Sequence, residues 1–323
     1  MTPGPAVVIP NWNGRRWLPG CLQALATQER LPGEVIVVDN GSTDGSREYL
    51  RDAHPGVRVI ALPANAGFAR AANLGLEAAG ATTPFVALVN TDVELAPDWL
   101  ARTEAALAAH PEAASVACKM VALDDPGLID DAGDVLRRDG VCEQRGRGTR
   151  DDGRLDAPGE VFGASAGAAL YRVAAVRAAG GFDERYFAYL EDVDLALRLR
   201  LAGHTCRYEP AVARHAGGGS SHQLPGAHRR LVARNTLVLV ATYFPARWLP
   251  LVAYRQLSWL RHAARTGRLA DHVRGLAAGL PRALRAAVTD RPRRRREARV
   301  PIEVAVPARP WRGPAAADHP GRA

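Results

Sequence analysis

Along the first ninety residues, short apolar segments rich in β-branched side chains alternate with segments of helical spacing, and few folds accept that order. Residues 5–10 (PAVVIP), 34–39 (EVIVVD), 57–61 (VRVIA) and 84–90 (PFVALVN) read as strands. The second and fourth are continuously apolar, the pattern of strands buried on both faces. Between them, residues 15–28 place Trp17, Leu18, Leu22 and Leu25 near 3.6 spacing. A helix is expected after the dense turn Asn40-Gly41-Ser42-Thr43-Asp44-Gly45, with Ser42 or Asp44 as N-cap, and another over 67–79. Strand and helix in alternation mean βαβ units and a mostly parallel sheet flanked by helices. Ligands of such sheets bind beyond the carboxyl ends of the strands. Asp39 and Asp92 stand at two of those ends. Two carboxylates are therefore expected in one crevice, where a metal or a polar ligand accounts for them.

The rest of the chain is less periodic. Residues 124–160 suggest loops or short antiparallel strands, 170–180 and 190–202 suggest helices, and GGGSS after His215 suggests a hinge or active-site loop. With 323 residues and 47% hydrophobic side chains, a disordered or collagen-like chain is excluded. Cys21, Cys118, Cys142 and Cys206 are far apart, which argues against a zinc ribbon or disulfide scaffold and for a reducing compartment. MTPGPAVVIP lacks the basic and long apolar regions of a secretory signal. Net charge is uneven. Residues 221–323 hold 20 Arg against 5 Asp and Glu and carry +15, leaving −7 for the remainder. A basic region suits nucleic acid, an anionic membrane or an acidic substrate.

Five motifs could carry chemistry, each with a plainer reading. Asp39 in VVDNGSTDGS could accept the imide N–H of uracil or thymine, or only shape a turn. Asn90-Thr91-Asp92 could hold Mg²⁺ or Mn²⁺ on a nucleotide diphosphate, or be another turn. Glu191-Asp192-Val193-Asp194 crowds three carboxylates, which favours a shifted pKa or a cation partner, although negative charge at a helix start accounts for part of it. His215 is a metal ligand or a loop histidine. Gly163-Ala164-Ser165-Ala166-Gly167 matches the serine-hydrolase elbow, but its preceding strand is poor and no oxyanion segment lies upstream. No G-x-G-x-x-G follows the first strand, which disfavours a dinucleotide-binding dehydrogenase.

In order and spacing, VVIPNWNG, VIVVDNGSTDGS, NAGFARAANLGL, LVNTD, GGFDERYFAYLEDVDLALRLRLAGH and His215 resemble the family 2 glycosyltransferases of GT-A fold, and GFDERYFAYLEDVDL looks like their rhamnosyltransferase branch. The resemblance covers about residues 5–220. It implies that Asp39 binds a pyrimidine base, with Pro10 and Asn13 shaping the base and ribose pocket and Arg70 and Asn73 near the nucleotide. Asn90 stands at the first acidic position of the family's D-x-D, which leaves Asp92 to anchor Mg²⁺ or Mn²⁺ with His215 as a further ligand. Asp192 is implied as catalytic base, Glu191 as a sugar-nucleotide contact, and Gly163 to Gly167 as a small-residue wall beside donor and acceptor. The implied reaction is inverting transfer of a sugar, first L-rhamnose, from a dTDP- or UDP-sugar to a hydroxyl of a glycan or polyprenyl-linked glycan in cell-envelope polysaccharide synthesis.

Three segments follow: a catalytic domain over 1–220, a basic amphipathic helical extension over 221–290, and a disordered basic tail over 291–323. In the extension, Trp248, Leu249, Leu251, Tyr254, Leu257 and Trp259 with Arg247, Arg255, Arg261 and Arg265 suit an anionic inner leaflet, with a packed helical appendage as the alternative. That reading puts the protein in the cytoplasm, peripheral on the membrane. The competing functions are a nucleic-acid binder using the arginine-rich end, against which no binding-fold motif accompanies it, and an esterase using Ser165.

Overall fold

The computed structural model describes residues 3–79, 83–217 and 226–308. The expected βαβ order is present: β1 (Ala6–Asn11), α1 (Leu18–Ala26), β2 (Glu34–Asp39), α2 (Ser46–Ala53), β3 (Arg58–Ala61), α3 (Phe68–Ala78) and β4 (Phe85–Val89). Strands β3, β2, β1 and β4 lie side by side and parallel. Because β1 is flanked by β2 on one side and β4 on the other, strand order reverses at β1, and the carboxyl ends there open a crevice. Asp39 ends β2 and Asp92 follows β4, so both carboxylates reach that edge.

Successive residues of these strands serve opposite faces, as a period of two requires. Val8, Val38 and Leu88 pack with Ala69, Ala72 and Leu76 of α3. Val7, Val37 and Ala87 pack with Leu18, Leu22 and Leu25 of α1 and Leu50 of α2. Gly75 inside α3 marks a close crossing, since a Cβ there would stand 2.1 Å from Val8 Cγ1.

Beyond β4 the sheet becomes mixed. It adds β5 (Val93–Leu95), then α4 (Trp99–Ala109), β6 (Ala113–Ala122), β7 (Ile129–Asp131), β10 (Gly159–Val161), β11 (Ala168–Arg172) and β12 (Thr205–His215). A separate hairpin joins β8 (Asp134–Leu136) to β9 (Cys142–Gln144). The short strands expected within 124–160 are thus present. The helix expected over 170–180 is corrected: residues 168–172 form β11, antiparallel to both β4 and β6, and only Val173–Ala178 (α5) is helical. Ala-Ala-Leu-Tyr-Arg has good helical propensity, but two open strand edges on either side take its backbone N–H and C=O groups.

The chain continues through α6 (Glu191–Leu201), β12, α7 (Ala227–Tyr243), α8 (Leu249–Arg265), α9 (Leu269–Glu297) and α10 (Ile302–Ala305). Leu197 and Leu201 of α6, Leu239 of α7, Phe244, Trp248 and Val252 of α8 share one buried apolar cluster. The segment after 220 therefore packs onto the body that bears the sheet. The disorder expected from residue 291 is corrected for 291–297, which extend α9: Arg291 Nε donates to Ala241 O at 2.8 Å, so α7 holds that turn. The tail beyond 308 and most of the GGGSS segment lie outside the described residues.

Candidate active site

At the end of β2, Asp39 is fully buried. Its Oδ1 accepts from Asn11 Nδ2 at 2.8 Å, and its Oδ2 accepts from Arg47 Nε and, at 3.2 Å, from Ser42 N. Burial pushes this carboxyl up, but the bonds from Ser42, Arg47 and Asn11 outweigh it and hold the pKa below the ordinary value. Arg47, on α2, also donates to Leu62 O and covers the carboxylate; the sequence reading did not single it out. Pro10 pairs with Val38 in the β1–β2 register. Asn13 takes positive φ, and its N donates to Ser42 Oγ at 2.9 Å while its Oδ1 accepts from Thr43 N at 2.8 Å. The Asp39 turn and the residues after β1 are thus one hydrogen-bonded unit.

At the end of β4, Asn90 N donates to Gly167 O at 2.8 Å, tying the Asn90-Thr91-Asp92 turn to the start of β11. A Cβ on Gly14 would meet Asn11 Oδ1 at 2.3 Å and Thr91 Oγ1 at 2.9 Å, so the two strand-end turns are in contact. His215 closes β12 opposite Val93. Its Nε2 stands 3.4 Å from Asp92 Oδ2 and its Nδ1 2.7 Å from Asp130 Oδ2. Burial pushes the imidazole down, but Asp130 and Asp92 raise it to about 9. Asp130, in the middle of β7, was not anticipated; it holds the ring from behind, as carboxylates behind ligating histidines do.

The Asp92–His215 pair fits a divalent cation in part. Adjacent ligand atoms around Mg²⁺ or Mn²⁺ stand about 3 Å apart, close to the observed separation, and an imidazole with a carboxylate is a donor set that Mn²⁺ accepts. A cation there must displace the histidine proton. No cluster of three or more His, Cys, Asp or Glu suited to a metal occurs among the described residues, so the remaining ligands would be diphosphate oxygens and water.

Asp192 opens α6. Its Oδ1 accepts from Val193 N at 2.8 Å and its Oδ2 from Ala166 N at 3.2 Å, one residue from the Gly167 that holds Asn90. Burial pushes its carboxyl up against those two bonds. Behind it lie Asp131, Asp134 and Glu191, each raised chiefly by burial and further by neighbouring carboxylates. Asp134 Oδ2 and Glu191 Oε2 have no hydrogen-bond partner among the described residues. Glu191 is thus part of a buried acidic cluster. Gly163 faces α6, where a Cβ would stand 2.6 Å from Ala196 Cβ, so it serves helix packing rather than a sugar wall.

Arg70 and Asn73 are engaged by the segment that leads into α6. Asn73 Oδ1 accepts from Phe182 N at 2.8 Å and its Nδ2 donates to Phe182 O at 2.9 Å, while Arg70 pairs with Glu184 at 3.1 Å. They clip α3 to the segment that leads into α6. Within that segment Phe187, Tyr189 and Leu190 all have positive φ, a conformation that costs non-glycine residues about 1–3 kcal/mol each. Ser165 lies between β10 and β11, a strand–turn–strand setting that lacks the strand-to-helix turn of a hydrolase elbow.

Residues 6–180 match the sequence pattern of Glycosyl transferase family 2. The chain belongs to this family. The N-acetylglucosaminyl-diphospho-decaprenol L-rhamnosyltransferase of Mycobacterium tuberculosis is 30% identical over 249 residues, 70% of this glycosyltransferase and 80% of the relative. The pre-mycofactocin glycosyltransferase of the same organism is 32% identical over 296 residues, 88% of this chain and 58% of its own. Among solved structures, a Pyrobaculum calidifontis mannosyltransferase in complex with GDP-Man and Mn²⁺ superposes with TM-score 0.53 at 20% identity, covering 87% of this chain and 76% of that one. TarS 1–349 of S. aureus in complex with UDP-GlcNAc gives 0.53 at 19%, covering 85% and 91%. The glycosyltransferase is therefore of GT-A fold, with a rhamnosyltransferase-like sequence.

Proposed function

We propose that this glycosyltransferase inverts an anomeric centre while moving a sugar, with L-rhamnose the first candidate, from a pyrimidine nucleotide diphosphate to a hydroxyl of a glycan or polyprenyl-linked glycan. The observation that carries the reading is the continuous path Asp92–Asn90–Gly167–Ala166–Asp192, which sets a cation-type pair and a half-buried carboxylate on two sides of one turn. The M. tuberculosis relative's name supports rhamnose and a lipid-linked acceptor. Asp192 accepts the acceptor's proton as its oxygen attacks, and burial, by raising its pKa, suits it to that task near neutral pH. Asp92 and His215 would hold Mg²⁺ or Mn²⁺, which would supply positive charge against the diphosphate leaving group. Asp39 accepts the base's imide N–H once Arg47 has swung off it, and Pro10, Asn13 and Asn90 border the same crevice. The test is a donor screen with Mg²⁺ or Mn²⁺, scoring nucleotide diphosphate release in the presence of polyprenyl diphosphate-linked N-acetylglucosamine. Release from dTDP-rhamnose above UDP-sugars is expected; no release from any pyrimidine donor refutes the proposal.

Membrane contact is a finer part of this reading, and its surface spans α8 and α9. No helix among the described residues is long and apolar enough to cross a membrane. Trp248 is buried, Arg247 pairs with Glu303 and Arg255 with Asp139, so these groups hold α8 to the body. Leu249, Leu251, Tyr254 and Leu257 of α8 nevertheless stay exposed, and α9 adds Leu269, Val273, Leu280, Leu284 and Val288 at spacings that line one stripe. Asp271 and Asp290 of the same helix are taken up by Arg230 and Arg185, while Arg274, Arg282 and Arg285 remain largely exposed, which suits an anionic lipid surface. Flotation with phosphatidylglycerol vesicles, lost on Leu280→Glu/Leu284→Glu, is expected; equal flotation of the variant ends this reading. Binding of nucleic acid has no support here beyond charge.

A further inference from the structure

We infer that Asn235, on α7 and far from the family match in sequence, is a positioning residue for the carboxylate at the start of α6. The inference rests on the proposal that Asp192 is the base. Residues 186–190 lead directly into Asp192, and three of them, Phe187, Tyr189 and Leu190, hold positive φ without being glycine. Such a run persists only where its surroundings over-determine it. Leu190 is the residue that caps α6, so its backbone sets the direction in which the first turn, and Asp192 with it, leaves the loop.

The determinant on the page is one amide. Asn235 is 1% exposed, and its Nδ2 donates to three carbonyls of the loop: Tyr186 O at 3.0 Å, Ala188 O at 2.9 Å and Tyr189 O at 2.6 Å. Its Oδ1 accepts from Arg234 Nε at 2.8 Å, which turns the donating end of the amide toward the loop. The same guanidinium donates through Nη2 to Tyr186 O. Tyr243, two turns further along α7, donates its hydroxyl to Asp194 Oδ1 at 2.7 Å, on the first turn of α6. On the opposite side the loop is held by backbone, with Ala69 N donating to Phe187 O at 3.2 Å. α7 therefore supplies the side-chain donors that gather carbonyls which the left-handed run leaves without a helical or sheet partner. The chain beyond the sheet domain thereby becomes part of the catalytic apparatus.

The experiment compares Asn235→Ala, Asn235→Asp, Asn235→Gln and Asp192→Asn in the full chain. Three readouts are taken: hydrogen exchange of peptides covering 186–191 and 34–39, calorimetric affinity for dTDP with Mn²⁺, and kcat and KM with dTDP-rhamnose and the polyprenyl diphosphate-linked acceptor. Asn235→Ala is expected to speed exchange in 186–191 but not in 34–39. It should leave dTDP affinity within about twofold and lower kcat by about 10- to 100-fold, the scale of a displacement near 1 Å. Asn235→Asp, which turns an acceptor toward three carbonyls, should do the same or worse, and Asn235→Gln, which keeps the donor, should recover part of the rate. Unchanged exchange and kcat in Asn235→Ala overturn the inference. So does a parallel loss of dTDP affinity and of protection in 34–39, which would mark Asn235 as a general structural residue. If Asp192→Asn keeps full turnover, the base assignment fails instead, and altered exchange in Asn235→Ala would still report the clamp by itself.

Discussion

Replacing Asp192 by Asn separates proton acceptance from shape. The side chain now receives hydrogen bonds from Val193 N at 2.8 Å and Ala166 N at 3.2 Å. A carboxamide has the same outline but one acceptor oxygen, so one backbone donor loses its partner, at about 1.5–3 kcal/mol for a bond to a charged group. Opposing this, burial already disfavours the ionised form of Asp192, as its raised pKa shows, and Asn has no charge to desolvate. The two effects partly cancel, and a net stability change of about 1–2 kcal/mol or less is expected, a Tm shift of a few degrees. Turnover has no such compensation. General-base assistance is worth about 10²–10⁴ in rate, about 2.7–5.4 kcal/mol of barrier. Steady-state release of nucleotide diphosphate, calorimetry with dTDP and Mn²⁺, and a thermal melt measure the three quantities separately. Expected are a kcat lower by at least a hundredfold, dTDP affinity within a factor of two and a nearly unchanged melt. A kcat within tenfold of the parent refutes the reasoning, because the group placed at the reacting hydroxyl would not be needed there.

Asp92→Ala removes the carboxylate 3.4 Å from His215 Nε2 and should weaken Mn²⁺-dependent dTDP binding at least tenfold; unchanged calorimetric affinity contradicts the cation site. Asp194→Ala strips Arg198 of its buried partner and Tyr243 of its acceptor, and about 3–5 kcal/mol of stability should be lost in a urea titration; a loss under 1 kcal/mol would show the arginine finding other partners. The Asp134 carboxyl is pushed well above its ordinary pKa by burial and by Asp131, Asp192 and Glu191. Its folded pKa lies above the unfolded one, so between the two the native state holds the extra proton and stability falls as pH rises. Asp134→Asn should flatten that decline on the alkaline side of the ordinary carboxyl range, and denaturation midpoints that fall equally with pH in both proteins would contradict it.

How much of this was legible in the sequence varied with how local the cause was. The four parallel strands were readable because each is a short run rich in β-branched apolar residues near Gly, Pro, Asn or Asp, a signal carried by the segment itself. Ala168–Arg172 was not, because an alanine-rich pentapeptide suits a helix or a strand, and only the empty edges of β4 and β6 choose between them. The basic run 291–297 looked disordered by charge, yet Arg291 reaches carbonyls of α7 and α9 continues. In the site, Asp39, Asp92, Asp192 and His215 stood out as carboxylates or a histidine at the ends of readable elements. Arg47, Asp130 and Asn235 did not. Each is an ordinary residue inside a helix or a short strand, and its part follows from which distant group it meets. Arg70 and Asn73, named from the family resemblance, also have partners that no local pattern announces, Glu184 and Phe182.

The amino-acid sequence alone determined the βαβ order, the strand ends at which polar ligands gather, and the side chains with the chemistry to bind a nucleotide sugar, because apolar periodicity and turn residues act over a few positions. Tertiary structure decided which carboxylates meet at the strand-end turns and which are sealed in the buried acidic cluster, and which arginines are committed to ion pairs. It also decided that a helix over 227–243 grips the loop entering α6. Those outcomes depend on burial and on hydrogen bonds between residues tens to more than a hundred positions apart, and no local pattern encodes either.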